Sequence, residues 1–316
     1  MSDPGVAAGW VTGVAERLIE HVEQVVRGRH EAVELVVVGL LSGGHVLIED
    51  VPGTGKTTLA RALARSLDGG FARIQATADL LPSDITGSAI WNPGDQQFTF
   101  LPGPVFTNVV LVDELNRTPP RTQSAFMEVM EEGAVSIDGV THPVPDPFFV
   151  IATQNPVEQH GAYPLPEGQL DRFALRIHFH ALARADELDV IREQLARPTV
   201  LELQPILDVA QLRSARAAVR QVHASEAVLE HGLAMVRATR EDRRIRLGAS
   251  PRAAISLVRC AQALAVVRGR DFVTPDDIRA LAAPVLAHRL VPADLLQSPE
   301  TVVQELAARL PVPVGT

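Results

Sequence analysis

His45-Val46-Leu47-Ile48-Glu49-Asp50-Val51-Pro52-Gly53-Thr54-Gly55-Lys56-Thr57-Thr58 is the stretch on which the reading of this chain turns. His45 to Glu49 has the apolar character of a buried strand. Lys56 through Leu67 sets Leu59, Ala60, Leu63, Ala64 and Leu67 on one helical face, and Gly69-Gly70 is expected to end that helix. Between them lies a loop that follows the phosphate-binding pattern G-x-x-x-x-G-K-[ST], except that Asp50 holds the leading glycine position. Gly53 and Gly55 allow tight backbone, Lys56 supplies positive charge for phosphate, and the Thr57 hydroxyl is a ligand for Mg²⁺. Pro52, Thr54 and Thr58 complete the expected nucleotide-binding set. Asp50 adds an acidic group near bound triphosphate, which weakens affinity unless its side chain turns away.

Lys56 is the one lysine among 29 basic residues, the other 28 being arginine. A compact ammonium slips between β- and γ-phosphates, whereas a planar guanidinium is too wide for the backbone nest. The 316 residues suffice for two domains, and 46% hydrophobic with 21% charged residues is a globular composition. The formal charge of −9 is uneven: residues 1–185 hold 12 basic and 22 acidic groups, residues 186–316 hold 17 and 16. That balance opposes nonspecific binding to a phosphate backbone, so nucleic acid is not an expected partner. The single cysteine, Cys260, excludes an internal disulfide and reads as core packing beside Val258, Ala261 and Leu264. No signal peptide is apparent, and the longest apolar stretch, Leu35 to Leu41, is too short to span a bilayer. A cytoplasmic protein is expected.

Further strand-like runs occur at Phe71 to Gln75, Val109 to Val112, Phe148 to Ile151 and Leu175 to Phe179. Apolar strands separated by helical segments predict a parallel sheet covered on both faces. After Ala185 the strands stop, and 206–221, 226–240, 251–268, 275–287 and 299–309 read as helices. Ser250-Pro251, Thr274-Pro275 and Ser298-Pro299 each supply an N-cap followed by proline at the first helical position. The expected fold class is α/β, with a nucleotide-binding domain at 1–190, a linker at 191–205 containing Arg197-Pro198-Thr199, and a helical lid domain at 206–316.

Val109-Val110-Leu111-Val112-Asp113-Glu114 reads as the second half of the nucleotide site. An apolar strand ending in two acids puts Asp113 beside the phosphate loop if the strands neighbour each other, where it can hold the Mg²⁺ shell. Glu114 can then align and polarise the attacking water. Recognition of guanine through an asparagine-lysine-x-aspartate motif would need a second lysine and is excluded. Leu41-Ser42-Gly43-Gly44 precedes the phosphate loop and is read as a helix C-cap, not as a transporter signature. His178 and His180 share a strand face without partners at metal-ligand spacing.

Asp113-Glu114-Leu115-Asn116-Arg117, Thr122-Gln123-Ser124, Glu128-Val129-Met130-Glu131-Glu132, Ala152-Thr153-Gln154-Asn155-Pro156, Tyr163-Pro164-Leu165-Pro166-Glu167 and Gln169-Leu170-Asp171-Arg172-Phe173 occur in this order. Together they resemble the MoxR-type AAA+ ATPases, and the similarity runs from about Gly28 to Leu290. Departures from that pattern are Asp50, Ala162 and Gly168. The resemblance implies Asn155 as sensor 1, Arg172 as an arginine finger reaching the γ-phosphate of a neighbouring subunit, Arg252 as sensor 2, and Val26 with Gly28 as part of the adenine pocket. It also implies a homo-oligomeric ring, hexameric, acting on a protein client with a separate partner bearing a von Willebrand factor A-type domain.

Arg252 occupies the first turn of a predicted helix, where the macrodipole is positive, so its placement calls for an anionic partner. Asp276 and Asp277 obey the same rule and need no function. Ala89 to Trp91 with Gln97 to Phe100, and Val135 to Ile137 with Val140 across Asp138-Gly139, predict two hairpins, the second with a turn dipeptide suited to type I′. They resemble the helix-2 insert and the pore-facing hairpin before sensor 1. The expected function is Mg²⁺-dependent ATP hydrolysis that remodels a protein or metalloenzyme complex. The alternatives are a DNA-translocating motor like the minichromosome maintenance helicases and a nucleotide-gated scaffold of low turnover.

Overall fold

A computed structural model describes residues 4–49, 55–94, 96–155, 162–179, 184–196, 203–294 and 296–312. Helices α1 (Pro4–Glu23) and α2 (His30–Ser42) lead into β1 (His45–Glu49), followed by α3 (Lys56–Ser66), β2 (Leu67–Asp68), β3 (Phe71–Gln75) and α4 (Pro82–Thr86). Next come β4 (Gly87–Asn92), β5 (Gln97–Pro102), β6 (Val109–Asp113), α5 (Pro120–Glu132), β7 (Ala134–Ile137) and β8 (Val140–Pro143). Then follow β9 (Phe149–Gln154), α6 (Glu167–Leu170), β10 (Phe173–His178) and α7 (Arg184–Ala196). The remainder is mostly helical: β11 (Leu207–Asp208), α8 (Val209–Val219), α9 (Glu226–Glu241), β12 (Ile245–Leu247), α10 (Pro251–Val267), α11 (Pro275–Leu286), β13 (Val291–Pro292) and α12 (Pro299–Arg309).

Five strands form one parallel sheet in the order β10-β1-β9-β6-β3. Alternation along each strand divides the core in two. Val46, Ile48, Val109, Leu111, Phe149, Ile151, Leu175 and Ile177 pack with α1, α2, α3 and the C-terminal helices. Leu47, Val110, Val112, Val150 and Ala152 face the other way, onto Ile85 of α4 and Phe126, Met127, Val129 and Met130 of α5. The expected α/β architecture with a sheet between helices is therefore present. β3 lies at the sheet's edge and alternates in exposure, which leaves Arg73 and Gln75 on its open side.

Several boundaries differ from the sequence reading. Helix α3 stops at Ser66, because Leu67 and Asp68 pair in parallel with Leu207 and Asp208. Gly70 follows that bridge, where a Cβ would stand 2.4 Å from Thr107 Oγ1. Helix α8 begins at Val209, three residues late, since Asp208 is its N-cap and forms a capping box with Gln211. The last sheet strand starts two residues early, at Phe173, and α7 continues through position 190. Arg197, Pro198 and Thr199 lie outside the described residues.

Other local expectations hold. Ser250 and Ser298 accept from Ala253 N–H and Thr301 N–H, while Thr274 and Asp277 form a capping box. Asp277 is buried and pairs with Arg270 at 2.6 Å, a structural role. Gly43 caps α2 in the left-handed region. Both hairpins form, β4 against β5 and β7 against β8, and Asp138 and Gly139 have φ of 50° and 80°, as a type I′ turn requires. The hairpins touch each other: Phe100 stacks on His142 at 4.0 Å. Cys260 is fully buried among the C-terminal helices, and burial pushes its thiol up to about 11. No helix among the described residues is long and apolar enough to cross a membrane.

Candidate active site

The carboxyl ends of β1, β9 and β6 bring Glu49, Gln154 and Asp113 to one edge of the sheet. β9 lies between β1 and β6, so the condition that these two strands be neighbours is not met. The two motifs meet all the same, through side chains. Thr57, in the first turn of α3, donates from Oγ1 to Asp113 Oδ1 at 3.3 Å. Lys56 is the first residue of α3 and follows Gly55, whose φ is 96°. Asp50, Pro52, Gly53 and Thr54 lie outside the described residues.

Asp113 is buried and has three donors around it: Thr57, Arg73 Nε at 2.7 Å and Thr153 Oγ1 at 3.4 Å. Glu114 is directed elsewhere. Its backbone is left-handed, with φ 60° and ψ 47°, an uncommon setting for a side chain other than glycine. Its N–H donates to Thr153 Oγ1 at 2.9 Å, while its carboxylate meets Arg117 at 3.0 Å and Gln75 Nε2 at 3.3 Å. Two adjacent acids are thereby given separate positions. Asn155, buried just beyond β9, accepts at its backbone oxygen from Asn116 Nδ2 at 3.3 Å.

The Thr57 and Asp113 oxygens fit a divalent cation. Adjacent ligands in an octahedron with Mg²⁺–oxygen bonds of 2.0–2.1 Å stand about 3 Å apart, close to the 3.3 Å found here.

Beside the end of β10, a cavity of about 380 Å³ is lined by Gly28, Phe179, Arg176 and Glu300, among others. Arg29 lies over the Phe179 ring at 4.6 Å. Val26 is buried in the core and is not among the residues that line this cavity. Glu49, the residue before the phosphate loop, accepts from Gln154 Nε2 at 2.6 Å and pairs with Arg176 at 2.9 Å. Arg176 also pairs with Glu300 of α12, which ties the strand end to the C-terminal helices. Burial lowers the Arg176 pKa, and the Glu49 charge opposes that shift.

Arg172 and Arg252 stand at the other edge of the sheet. Arg172 directly precedes Phe173, which pairs with His45 at the start of β1. The five residues of β1 put that point about 13 Å from the strand's carboxyl end. Arg172 pairs with Glu131 at 2.7 Å, and Arg252 donates to the same carboxylate at 2.5 Å. The anionic partner that the placement of Arg252 calls for is thus Glu131. Its hydrogen bond from Arg252 holds the Glu131 carboxyl below the usual range. Asp171 fastens the helical region at this edge, accepting from Ser250 Oγ at 3.1 Å and pairing with buried Arg289 at 2.9 Å.

Residues 45–175 match the ATPase family associated with various cellular activities (AAA), and residues 237–308 match the AAA lid domain. Chaperone MoxR1 of Mycobacterium tuberculosis (strain ATCC 25618 / H37Rv) is 41% identical, with 98% of this chain and 86% of that protein covered. The chain belongs to the MoxR family of AAA+ ATPases. The uncharacterised protein YeaC of Bacillus subtilis (strain 168) is 44% identical over 94% of each chain. A crystal structure of a proposed ATPase from Cytophaga hutchinsonii ATCC 33406 is 36% identical, with a TM-score of 0.89 over 98% of this chain and 97% of that one.

In this MoxR-family chain the sequence reading missed Arg73, Thr153, Glu131 and the Glu49–Arg176–Glu300 network. Arg73 and Gln75 share one face of β3, and register pairs Gln75 with Asp113. A polar pair two apart on an edge strand was the available signal. Glu131 carries no such signal, being one of several acids on α5. His178 bonds to the Glu49 carbonyl at 3.1 Å, and no cluster of His, Cys, Asp or Glu suited to a metal occurs among the described residues. His180 lies outside them.

Proposed function

We propose that this chain hydrolyses ATP with Mg²⁺ in a homo-oligomeric ring, hexameric as the family resemblance implies, at sites shared between subunits. The contact between Thr57 and Asp113 carries the reading, because it joins the phosphate-loop helix to the acidic strand end at one point of the sheet edge. Gly55, Lys56, Thr57 and Thr58, with Pro52, Gly53 and Thr54, bind the phosphates, and Val26 and Gly28 border the adenine. Thr57 and Asp113 would hold Mg²⁺, which neutralises charge on the β- and γ-phosphates. Glu114 orients and deprotonates the attacking water, and Asn155 fixes that water's position.

Arg172 and Arg252 sit at the edge opposite the phosphate loop, so they serve the site of the adjacent subunit. The start of β1, beside which Arg172 lies, is about 13 Å from the strand's carboxyl end, farther than an arginine side chain extends toward its own γ-phosphate. The exposed apolar residues of the first hairpin, Ile90, Trp91, Phe98 and Leu101, are suited to gripping a protein client. The client is a protein or metalloenzyme complex, engaged with a partner bearing a von Willebrand factor A-type domain. The deciding experiment measures steady-state hydrolysis against protein concentration. Turnover per subunit should rise steeply as subunits associate; a turnover independent of concentration and of assembly would overturn the shared site.

A further inference from the structure

A second cavity of about 380 Å³ lies at the sheet edge opposite the phosphate loop, where β1 and β9 begin. Arg213, Arg216 and Arg220 of α8 and its C-cap enter one wall, and His45 and Phe148 form an aromatic floor. Spacings of three and four residues align the three guanidiniums on one helix face. The acids around the cavity are largely spoken for. Asp146 accepts from Arg213 Nε at 2.9 Å, and Glu131 holds Arg172 and Arg252. Glu132 has no ion pair among the described residues, against two arginines in the same condition.

Arg216 is the telling residue. It is nine-tenths buried, donates from Nε to the Leu40 carbonyl at 2.8 Å, and leaves its second terminal nitrogen with no hydrogen-bond partner among the described residues. A buried guanidinium nitrogen without an acceptor is costly, and a bound anion is one of the few ways to satisfy it. Arg220, one turn further on, has no ion pair with an acid among the described residues either. Burial lowers Arg216 to about 10, with Asp146 opposing and Arg220 adding to the shift, so it remains charged at neutral pH. His45 cannot compete for an anion, because both ring nitrogens are engaged: Nδ1 accepts from Val150 N–H at 3.1 Å and Nε2 donates to the Met130 carbonyl at 3.2 Å.

We propose that this cavity is a second anion site, which takes the phosphate group of a small phosphate-bearing molecule between Arg216 and Arg220 and rests the organic part on Phe148 and His45. The volume falls within the range of small-molecule sites and exceeds the need of a bare phosphate ion.

The test is calorimetric titration of inorganic phosphate and of phenyl phosphate into the full-length Lys56→Ala chain, where the phosphate loop no longer contributes. Both should bind, with the ester roughly tenfold or more tighter. Arg216→Gln should weaken binding roughly tenfold or more, Arg220→Gln several-fold, and Glu132→Gln should tighten it. Arg220 is exposed, so Arg220→Gln decides the matter if Arg216→Gln fails to fold. No binding, or binding indifferent to both arginine variants, would leave a water-filled cavity and overturn the site. An ester no tighter than free phosphate would overturn the aromatic contact. Any difference between the wild-type and Lys56→Ala chains reports on the nucleotide loop alone, so the two readings fail separately.

Discussion

Arg252 donates to Glu131 at 2.5 Å across the junction between the helical region and α5, and Arg172 reaches the same carboxylate from its other side. Two guanidiniums that converge on one anion are already arranged to converge on another, which under the proposed function is a phosphate of the adjacent subunit.

This arrangement makes a mixing experiment decisive. Arg172→Ala and Arg252→Ala, each alone, should lower turnover roughly a thousandfold or more, the range found for arginines that act across an interface. Mixed with Lys56→Ala subunits, either variant should regain part of its activity, because an intact phosphate loop then faces an intact arginine edge. Recovery with Arg172→Ala but none with Arg252→Ala, assembly being equal, would place Arg252 in the site of its own subunit.

Glu114→Gln should bind ATP with little change and lose hydrolysis roughly a hundredfold or more, since general-base catalysis contributes about that much. Retained ATP binding by equilibrium dialysis together with lost phosphate release is the expected pair of results. Unchanged turnover would remove Glu114 from the role of base.

Asp113→Asn should act differently. It removes the carboxylate charge proposed to hold Mg²⁺, and it leaves Arg73 facing an amide where it faced a carboxylate at 2.7 Å. Thermal stabilisation by ATP should become nearly independent of Mg²⁺ in this variant, while the wild-type chain should show a large difference with and without the ion. The same Mg²⁺ dependence in both chains would exclude Asp113 as a ligand.

Stability should fall as the pH is lowered from about 6.5 to about 4. Burial, opposed by the Met130 hydrogen bond, lowers His45 to about 4, so below 6.5 the unfolded chain takes up a proton that the folded chain refuses. The loss approaches about 3 kcal/mol for this one group by the end of that window. Buried His288 is also held well below its ordinary value and acts in the same direction. Urea denaturation at pH 7 and pH 4.5 should show the loss, and His45→Gln should shrink it. A slope of the opposite sign would mean that His45 is charged in the folded protein.

Much of the fold was legible because its signals are local. Ser250-Pro251, Thr274-Pro275 and Ser298-Pro299 start their helices where the cap chemistry demands. Asp138-Gly139 closes its hairpin because few other dipeptides adopt two positive φ values at low cost. The end of α3 was misread for the complementary reason: Leu67 fits the helical stripe, but a bridge to Leu207, far along the chain, removes it from the helix.

The amino-acid sequence by itself determined the strand-loop-helix unit around Lys56, the acidic strand end at Asp113, the capped helices and the family to which they belong. These depend on spacings within a turn of helix or a few residues of strand. Tertiary structure alone decided that β9 separates the two motif strands while Thr57 still reaches Asp113, and that Arg172 and Arg252 share Glu131 at the far edge. Those relationships join residues 41 and 121 positions apart in the case of Glu131. Strand order sets them, and strand order follows from how two hydrophobic faces are buried at once.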